Sequence, residues 1–519
     1  MTEPNIIVIL ADDLGFSDLG CYGGEISTPN LDRLGRSGVR LSQFYNTARC
    51  SPSRASLLTG RDPHETGIGI LTEDDRPHGY PGTMSAVHPT MAERFQAAGY
   101  ATCLSGKWHL SSDTRTPNNS WPTRRGFDEF YGILPGADDY FHPRNLTHGE
   151  QRQPVPTDDY YFTDAISDHA ANWVREQSRP FFLYLAYTAP HWPLHAREED
   201  IAEYADVYTE GWDALREKRM ERIRAEGLLD PDVRMSEPHN GVPPWSDAAH
   251  PEWEARRMSV YAAQVTAMDR GIGRVLDALA EGGKLHDTLV LFLADNGGCA
   301  EDLPPDGSPR FRQRQPTIQL NGEPMKIGNT SDISPGDAST FASYGPCWST
   351  LSNTPFRYHK RWTHEGGIAS PFIAHWPGGL LADGSVRHHP FQLTDILPTV
   401  LDAAGVPAPE GRGISMLPAL RGGPESEPHR LYWEHIGNGA IRDGDWKLVR
   451  TAEGCWELYD LSVDRTELDD RAGADPERVA ALAQAWQEWA DRVGVLPWPA
   501  WRSGDPTPEA AVNQGEREQ

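Results

Sequence analysis

The sequence contains few cysteines, and no two of them are closely spaced. Six cysteines are spread over 519 residues, at positions 21, 50, 103, 299, 347 and 455. This spacing excludes the CxxC pairs of a thiolate zinc site and the dense cysteine framework of a small secreted domain. We therefore expect a reducing compartment. The sequence predicts a cytoplasmic location, with a periplasmic form cut from a longer precursor as the alternative.

Long hydrophobic runs are missing as well. The longest apolar stretches, Asn5 to Ala11 and Thr288 to Ala294, are far shorter than the roughly 20 residues that cross a bilayer. The first residues, MTEPNIIVILADD, also lack the basic segment of a secretory signal. We expect the chain to begin directly with a strand and to have no membrane partner.

Positive charge is scarce relative to negative charge. The chain has 48 lysines and arginines against 75 aspartates and glutamates, which gives a net charge of -27. A field of this sign repels phosphate backbones and anionic lipid headgroups. The charge balance therefore predicts no nucleic-acid partner.

What the sequence does contain is enough apolar material for more than one hydrophobic core. Hydrophobic residues make up 38% of the 519 residues, and single cores stop growing at about 250 to 300 residues. We predict a larger domain, residues 1–382, and a smaller one, residues 383–519. The larger domain has two insertions, a solvated helical one at about 197–254 and a long surface excursion at about 301–349.

Short apolar runs that end abruptly in polar residues recur along the larger domain. Such runs are typical of parallel strands buried on both faces, and they comprise residues 5–11, 101–104, 181–187, 288–294 and 371–375. Helical patterns lie between them, the clearest from Met258 to Leu279. This alternation predicts an α/β fold with a doubly wound sheet, whose ligands bind at the carboxyl ends of the strands.

The pattern changes in the smaller domain. Residues 440–449 surround the turn Asp443-Gly444-Asp445, which is typical of an antiparallel hairpin, and Trp456–Tyr459 follows as a further strand. Apolar residues from Val479 to Val493 then repeat with helical spacing. The sequence predicts a smaller α+β domain with an antiparallel sheet and a helix, and a polar end, 504–519, that frays.

The sharpest local motif is Cys50-Ser51-Pro52-Ser53-Arg54. Ser51 is expected to cap a helix whose first residue is Pro52, which brings Cys50 close to free amides and the positive end of the helix dipole. Arg54, one turn further on, can face the same side as residue 50. An anion formed at position 50 is stabilised in this setting. The alternative interpretation is a buried structural cysteine before an ordinary helix.

Two polar pairs follow strands that are expected to be neighbours in the sheet. Asp12 and Asp13 end the first strand, and Asp295 and Asn296 end the strand at 288–294. Three carboxylates and one amide oxygen are hard ligands, so the set favours Ca²⁺ or Mg²⁺ over zinc. Each pair taken alone has an alternative interpretation as a turn or a helix cap.

Four further segments accompany these motifs in order along the chain: Gly106-Lys107-Trp108-His109, Ala189-Pro190-His191, Asp295-Asn296-Gly297, and Lys360 through Glu365-Gly366-Gly367. Together with residues 5–69 they resemble the type I sulfatases, arylsulfatases of the alkaline phosphatase superfamily. The resemblance implies a large mixed, mostly parallel sheet sandwiched by helices. It also implies that a formylglycine-generating enzyme oxidises Cys50 to formylglycine during maturation.

The resemblance assigns roles to the site residues. It implies one ion, Ca²⁺ with Mg²⁺ as the alternative, held by Asp12, Asp13, Asp295, Asn296 and residue 50. In the implied reaction, the hydrated formylglycine attacks sulfur, forms a covalent sulfo-enzyme and releases sulfate by hemiacetal collapse. The implied catalytic residues are Cys50, Arg54, Lys107 and His109 at the nucleophile, Asp295 as its activator, and His191 and Lys360 on the leaving-group side.

The expected function is hydrolysis of sulfate monoesters, with small aryl sulfates as the substrate class. Two alternatives stay open: a formylglycine-dependent phosphonate monoester or phosphodiester hydrolase, and a metal-binding protein without turnover. The sequence makes no prediction of oligomeric state. Four aromatic residues are candidates for a substrate pocket, with packing as the favoured interpretation of each: Tyr140, Phe141, Trp348 and Trp362.

Overall fold

The computed structural model describes residues 3–157, 159–239, 241–319, 321–381, 383–409, 411–423 and 429–498. The predicted fraying segment 504–519 lies outside these residues, as does position 382 at the predicted domain boundary. In the part of the chain that the structure describes, no helix combines the length and the apolar surface needed to cross a bilayer.

Short strands and helices alternate along the chain. The strands are β1 (Asn5–Ala11), β2 (Val39–Tyr45), β3 (Ala101–Lys107), β4 (Glu129–Ile133), β5 (Leu146–His148), β6 (Gln151–Arg152), β7 (Phe181–Ala186), β8 (Thr288–Ala294), β9 (Lys326–Ile327), β10 (Thr340–Phe341), β11 (Ala369–His375), β12 (Val386–Arg387), β13 (Phe391–Gln392), β14 (Leu431–His435), β15 (Asn438–Asp443), β16 (Trp446–Arg450) and β17 (Glu457–Asp460). The α-helices are α1 (Pro29–Ser37), α2 (Cys50–Thr59), α3 (Met91–Ala97), α4 (Phe162–Glu176), α5 (Glu198–Ala202), α6 (Gly211–Ala225), α7 (Pro251–Glu281), α8 (Pro309–Arg314), α9 (Gly345–Ser352), α10 (Glu365–Ile368), α11 (Ile396–Ala404), α12 (Leu417–Leu420) and α13 (Pro476–Val493).

A large mixed sheet lies at the centre of the molecule. Its strand order is β12-β2-β11-β8-β1-β7-β3-β4-β5-β6, and β13 also pairs with β2. The central strands β8, β1, β7, β3 and β4 run parallel, whereas β11 is antiparallel to both β2 and β8. The predicted α/β class with a mostly parallel sheet is confirmed.

The central strands are buried on both faces because helices cover the sheet from both sides. In β1, Ile7 and Ile9 belong to the core beneath α1, α4 and α7, whereas Ile6 and Val8 belong to the core beneath α2, α3 and α11. This alternation follows from the two-residue period of a strand. It explains why these runs are continuously apolar in the sequence.

The first insertion differs from the sequence expectation. Helix α6 is not a solvated element, because it buries Trp212 and Arg219 against the main body. The Arg219 guanidinium forms ion pairs with Asp18 at 2.7 Å and with Glu25 at 2.6 Å. These acidic partners lie about 200 residues earlier in the chain. The charged residues of α6 suggested a solvent-exposed helix because the local sequence does not show that the fold places acidic partners next to Arg219.

A four-stranded antiparallel sheet, in the order β14-β15-β16-β17, forms the carboxyl-terminal part of the fold. Helix α13 covers it with Leu482, Trp486 and Val493, which pack with Ile441 and Leu448 of the sheet. The predicted antiparallel sheet and its helix are therefore confirmed. The domain boundary at residue 382 stays a prediction, and two short strands beyond it, β12 and β13, pair with β2 of the large sheet.

Candidate active site

The carboxyl ends of the central strands bring the predicted oxygen ligands together. Strands β1 and β8 pair in register, with Ala11 opposite Ala294, so Asp12 and Asp295 leave the sheet side by side. The Asp13 amide donates a hydrogen bond to Asp295 Oδ1 at 3.3 Å, and Asn296 Nδ2 donates to Asp13 Oδ1 at 2.7 Å. All four side chains are buried. The structure thus brings together the four oxygen-bearing side chains among the five predicted metal ligands.

Two oxygens of this group are suited to bind a cation. Asp12 Oδ1 and Asn296 Oδ1 are buried and accept no hydrogen bond from the described part of the chain. Leaving a buried carboxylate or amide oxygen without a partner is costly. Hard oxygen donors of this kind are the ligands that Ca²⁺ and Mg²⁺ prefer. The residues present therefore fit the divalent ion that the sequence predicts.

Arg54 connects the nucleophile helix to these acids. Its guanidinium is fully buried and donates to Asp295 Oδ2 from Nε at 3.0 Å and from Nη2 at 2.8 Å. Its Nη1 donates to the Lys107 carbonyl at 3.1 Å. A planar guanidinium holding one carboxylate oxygen and one backbone carbonyl is geometrically restrictive. Arg54 accordingly orients Asp295 and the end of β3 at once.

Cys50 lies at the amino-terminal end of α2, as predicted, although the cap differs. The helix begins at Cys50 itself with Arg49 at the N-cap, so Ser51 is inside the first turn and its hydroxyl has no hydrogen-bond partner among the described residues. The expectation that Ser51 caps the helix is therefore wrong. Cys50 still lies at the positive end of the helix dipole. Its Sγ is 3.5 Å from His109 Nδ1, and the residue is only 2% exposed.

Lys107 and His109 reach the site from the end of β3. Lys107 Nζ donates to Asp12 Oδ2 at 2.5 Å. His109 has a left-handed backbone, with φ of 57°, and its ring occupies space that a side chain at Gly136 would fill, because an added Cβ there would lie 2.4 Å from the imidazole. Non-glycine residues with positive φ are uncommon and cluster at functional sites. Asp13, at φ of 65°, is a second one in this site.

Lys360 and His191 approach from the other side of Asp13. Lys360 Nζ donates to Asp13 Oδ2 at 2.8 Å, and His191 Nε2 lies 3.5 Å from the same oxygen. His191 Nδ1 lies 2.5 Å from the Trp192 carbonyl, so Nδ1 carries the hydrogen and Nε2 is the atom that faces the site. All predicted site residues are therefore gathered in one buried cluster at the strand ends.

Burial controls the protonation of these groups. It raises the pKa of the Cys50 thiol against the opposing effect of Lys107, and it lowers the pKa of His109 well below its ordinary value. Burial also lowers the pKa of His191 to about 3, and burial together with Asp12 raises the pKa of Asp295 to about 7. Both imidazoles are accordingly neutral in this arrangement.

Sequence reasoning missed three residues at the edge of the site. Arg49 Nη1 donates to Glu301 Oε1 at 2.7 Å, and Trp192 Nε1 donates to Glu301 Oε2 at 3.1 Å. The Trp192 ring lies against the His191 ring with centroids 4.4 Å apart. Glu301 opens the second insertion, and no spacing rule links it to Arg49, 252 positions earlier in the chain.

The local charge differs sharply from the net charge of the whole chain. Four cations face four carboxylates here, namely Arg49, Arg54, Lys107 and Lys360 against Asp12, Asp13, Asp295 and Glu301. The chain as a whole carries -27. A divalent cation added to a formally neutral cluster makes the site positive, which suits an anionic ester.

The four aromatic residues considered for a substrate pocket lie in different environments. Trp348 is fully buried and packs against Trp212, with ring centroids 5.3 Å apart. Tyr140 donates its hydroxyl hydrogen to the His191 carbonyl at 2.9 Å, which makes it a support for the site. Phe141 packs beside Tyr161, and Trp362 stacks on Tyr358. Among the described residues, Trp192 contacts the predicted catalytic residue His191 with its ring.

Residues 4–406 match the family model described as Sulfatase, and residues 356–489 match the model described as N-sulphoglucosamine sulphohydrolase, C-terminal. The chain belongs to the sulfatase family. The resemblance drawn from the motifs is confirmed. Family membership supports the predicted class of activity, the hydrolysis of sulfuric esters, and sulfatases generally use a metal ion and formylglycine.

Similar proteins cover most or all of the chain. An uncharacterized sulfatase of Schizosaccharomyces pombe is 35% identical over 548 residues, covering 96% of this chain and 95% of the relative. An arylsulfatase of Klebsiella aerogenes is 33% identical over 425 residues, covering 78% and 87%. The solved structure of Ps i-CgsB in complex with k-i-k-neocarrahexaose is 26% identical, with a TM-score of 0.68, covering 100% and 98%.

Proposed function

We propose that this sulfatase hydrolyses aryl sulfate monoesters to a phenol and inorganic sulfate, with formylglycine at position 50 as the nucleophile. The observation that carries the proposal is the position of Cys50. It lies at the start of α2, within 3.5 Å of His109, amid the cations Lys107 and Lys360 and the carboxylates Asp12 and Asp295. The similarity to an arylsulfatase of Klebsiella aerogenes supports the aryl substrate class.

Cys50 itself is poorly suited to this chemistry. A buried thiol with a raised pKa stays protonated at neutral pH, and the thiolate is the nucleophilic form. Formylglycine at this position supplies, once hydrated, two hydroxyls, of which one is the nucleophile and the other allows sulfate to leave. Because Cys50 is buried in the folded chain, we propose that the formylglycine-generating enzyme acts before folding is complete.

Asp12, Asp13, Asp295, Asn296 and residue 50 are the proposed ligands of one ion, Ca²⁺ with Mg²⁺ as the alternative. Such an ion would supply Lewis-acid polarisation of a sulfate oxygen and of the nucleophile. Asp295, held by Arg54 at 2.8 Å, is the proposed acceptor of the nucleophile's proton. Arg54 keeps that carboxylate fixed and is therefore a positioning residue in this scheme.

Lys107 and His109 serve the nucleophile side. Lys107 Nζ is placed to hold the sulfate group next to Asp12, because its three donors exceed the one hydrogen bond that it makes to that carboxylate. His109 Nδ1, the atom beside residue 50, is the proposed partner of the second hydroxyl and accepts its proton when sulfate departs. Its left-handed backbone holds the ring against Gly136.

His191 and Lys360 serve the leaving-group side. Both lie on the Asp13 face of the cluster, and one of them is the proposed proton donor to the departing oxygen. The Lys360 ammonium carries its proton already, whereas His191 must first take up a proton at Nε2. Trp192 adds an aromatic surface next to His191, and its indole is oriented by Glu301. An aryl leaving group stacked on this indole gains contact area that an aliphatic one lacks. This arrangement supports the preference for aryl esters.

We also propose a reducing location, the cytoplasm. All six cysteines lie in the described residues and all are free, which suits a reducing compartment. A thiol at position 50 that is to be oxidised must also stay out of any disulfide. Besides the formylglycine-generating enzyme, the proposed partner of the chain is its substrate, a small-molecule sulfate ester.

Two measurements on one preparation test the proposal. Mass spectrometry of the tryptic peptide Cys50-Ser51-Pro52-Ser53-Arg54, made beside an active formylglycine-generating enzyme, is expected to give the aldehyde rather than the thiol. The kcat/KM for an aryl sulfate is then expected to exceed that for an aryl phosphonate monoester. A thiol that persists at position 50 in fully active protein would contradict formylglycine as the nucleophile. A higher kcat/KM for the phosphonate monoester than for the aryl sulfate would contradict the proposed sulfatase activity. Cys50→Ala, which cannot be converted, is the control.

A further inference from the structure

A second cluster of metal-ligating side chains lies away from the active site, at the edge of the large sheet. It consists of Glu129 on β4, His148 on β5 and His169 on α4. One ligand atom from each lies within 4.8 Å of the other two. His148 Nε2 is 2.5 Å from Glu129 Oε1, and His169 Nε2 is 3.5 Å from the same oxygen. Three separate elements thus direct their ligand atoms at one point.

The sheet register explains this convergence. Strands β4 and β5 are antiparallel, with Tyr131 directly opposite His148. Glu129 precedes Tyr131 by two residues, so both side chains emerge on the same face of the sheet. The Tyr131 ring stacks on His169 with centroids 4.9 Å apart and packs edge-on against His148 at 6.0 Å. One aromatic ring therefore orients both imidazoles.

The hydrogen bonds of Ser105 determine which nitrogen of His169 faces the cluster with a lone pair. The Ser105 hydroxyl donates its hydrogen to the Ile166 carbonyl at 2.8 Å. It can then only accept at its contact with His169 Nδ1, 3.1 Å away, so Nδ1 carries the hydrogen. In the neutral ring, Nε2 is an acceptor that faces the Glu129 carboxylate, also an acceptor. Two acceptors facing each other need a cation between them.

We propose that Glu129, His148 and His169 form a second metal site, which takes a dication of the zinc type. Two imidazoles and one carboxylate are a ligand set that suits zinc, with water completing a tetrahedral shell. Zinc with ligands at about 2.0 to 2.1 Å separates them by roughly 3.3 Å. The His169–Glu129 contact of 3.5 Å is close to this spacing, and the His148–Glu129 contact of 2.5 Å would lengthen when the ion binds. The hydrogen bond from His169 Nδ1 to Ser105 is the outer support that zinc-bound histidines characteristically have.

The position of this site assigns it a structural role. Strands β5 and β6 end the large sheet beyond β4, and a metal bound here joins that edge to helix α4. The three side chains are 52%, 33% and 19% exposed for His148, Glu129 and His169, so the ion can enter from solvent. None of the three belongs to the proposed catalytic set. Loss of this site therefore leaves the proposed catalytic residues intact.

Zinc titration of the whole chain by calorimetry tests the proposal. Saturating Ca²⁺ is added first, so that the oxygen ligands of the active site are occupied. The wild-type chain is expected to bind one zinc ion that His148→Ala and Glu129→Gln bind at least about tenfold more weakly. His286→Ala is the matched control, since His286 also lies beside a carboxylate, Asp287 at 3.0 Å, but belongs to no three-ligand group among the described residues.

The outcomes separate a metal site from a simple ion pair. A zinc ion bound by wild type and by His286→Ala, and lost in the other two variants with unchanged circular dichroism, supports the site. Identical zinc titrations for wild type and His148→Ala would overturn it. So would the absence of any zinc uptake by wild type, because a proton on His169 then serves as the cation that faces Glu129. Zinc uptake does not depend on position 50, so the test stands apart from the proposed activity.

Discussion

The buried ion cluster that attaches the carboxyl-terminal sheet to the large sheet offers the sharpest stability prediction. Lys447 Nζ, on β16, lies 2.9 Å from Glu365 Oε1 and 2.7 Å from Glu467 Oε1, and all three side chains are fully buried. Arg465 Nε lies 2.9 Å from the other Glu365 oxygen. The perturbation is Lys447→Met, which keeps the length of the side chain and removes its charge.

The structure supplies the magnitude. Burial acts to raise the pKa of Glu365, but Lys447 and Arg465 overcome it and lower that pKa from 4.5 to about 2. A shift of this size corresponds to about 3 kcal/mol at neutral pH. Breaking a buried pair by removing one partner costs about 3 to 5 kcal/mol. We therefore expect Lys447→Met to lower the free energy of unfolding by about 3 kcal/mol.

The sign of the pH dependence follows from the lowered pKa. The carboxylate binds protons more weakly in the folded chain than in the unfolded chain. Its stabilisation is therefore complete above about pH 4.5 and is lost as the pH falls toward 2. The difference between wild type and Lys447→Met is expected to shrink over this interval.

Urea unfolding followed by tryptophan fluorescence measures both effects. Lys326→Met is the control, because Lys326 is exposed and the substitution is chemically the same. If Lys447→Met at pH 7 were within about 1 kcal/mol of Lys326→Met, the reasoning from buried charge would be refuted. If the difference in unfolding free energy between wild type and Lys447→Met stayed constant from pH 5 to pH 2, the attribution of the pH dependence to Glu365 would be refuted.

Three further predictions concern the active site, and a fourth concerns the packing of β3 against β7. Cys50→Ala is expected to abolish aryl sulfate hydrolysis with an unchanged far-UV spectrum, because only a small side chain is lost; measurable turnover would contradict the covalent scheme. Asn296→Ala is expected to weaken Ca²⁺ binding about tenfold or more by calorimetry, since it removes a buried, unpartnered oxygen that is proposed as a ligand, and an unchanged Kd would exclude Asn296 as a ligand. His191→Ala and Lys360→Ala are compared over a series of aryl sulfates whose phenols differ in leaving-group ability. The variant that lacks the proton donor is expected to lose more kcat for poor leaving groups than for good ones. If both variants lost the same factor in kcat for every ester, proton donation by either residue would be contradicted. Gly106→Ala is expected to lower stability by about 3 kcal/mol, because an added Cβ would lie 1.9 Å from the Ala186 carbonyl oxygen at φ of 121°. Gly99→Ala, with φ of 88° and nothing within 4 Å, is the control that isolates the clash.

The strand-end motifs were predictable because each is local. A continuously apolar run followed by Asp12 and Asp13, or by Asp295 and Asn296, predicts both a buried strand and polar groups at its carboxyl end. The α/β class followed from the alternation of such runs with helical patterns. Strand β2 was missed because its sequence VRLSQFY mixes polar residues into the apolar run. The cap of α2 was misplaced by two residues, since Arg49 rather than Ser51 precedes the first turn.

By itself, the sequence determined the fold class, the family and the identities of the candidate catalytic residues. The spacing of residues along the chain carries that information, because it shows which side chains share one turn of a helix or one strand. The tertiary structure alone decided which distant groups meet. Glu301 holds Arg49 and Trp192, Lys447 lies between Glu365 and Glu467, and Glu129 meets His148 and His169. These contacts depend on sheet register and helix packing, which relate residues far apart in the chain, and no local pattern records them.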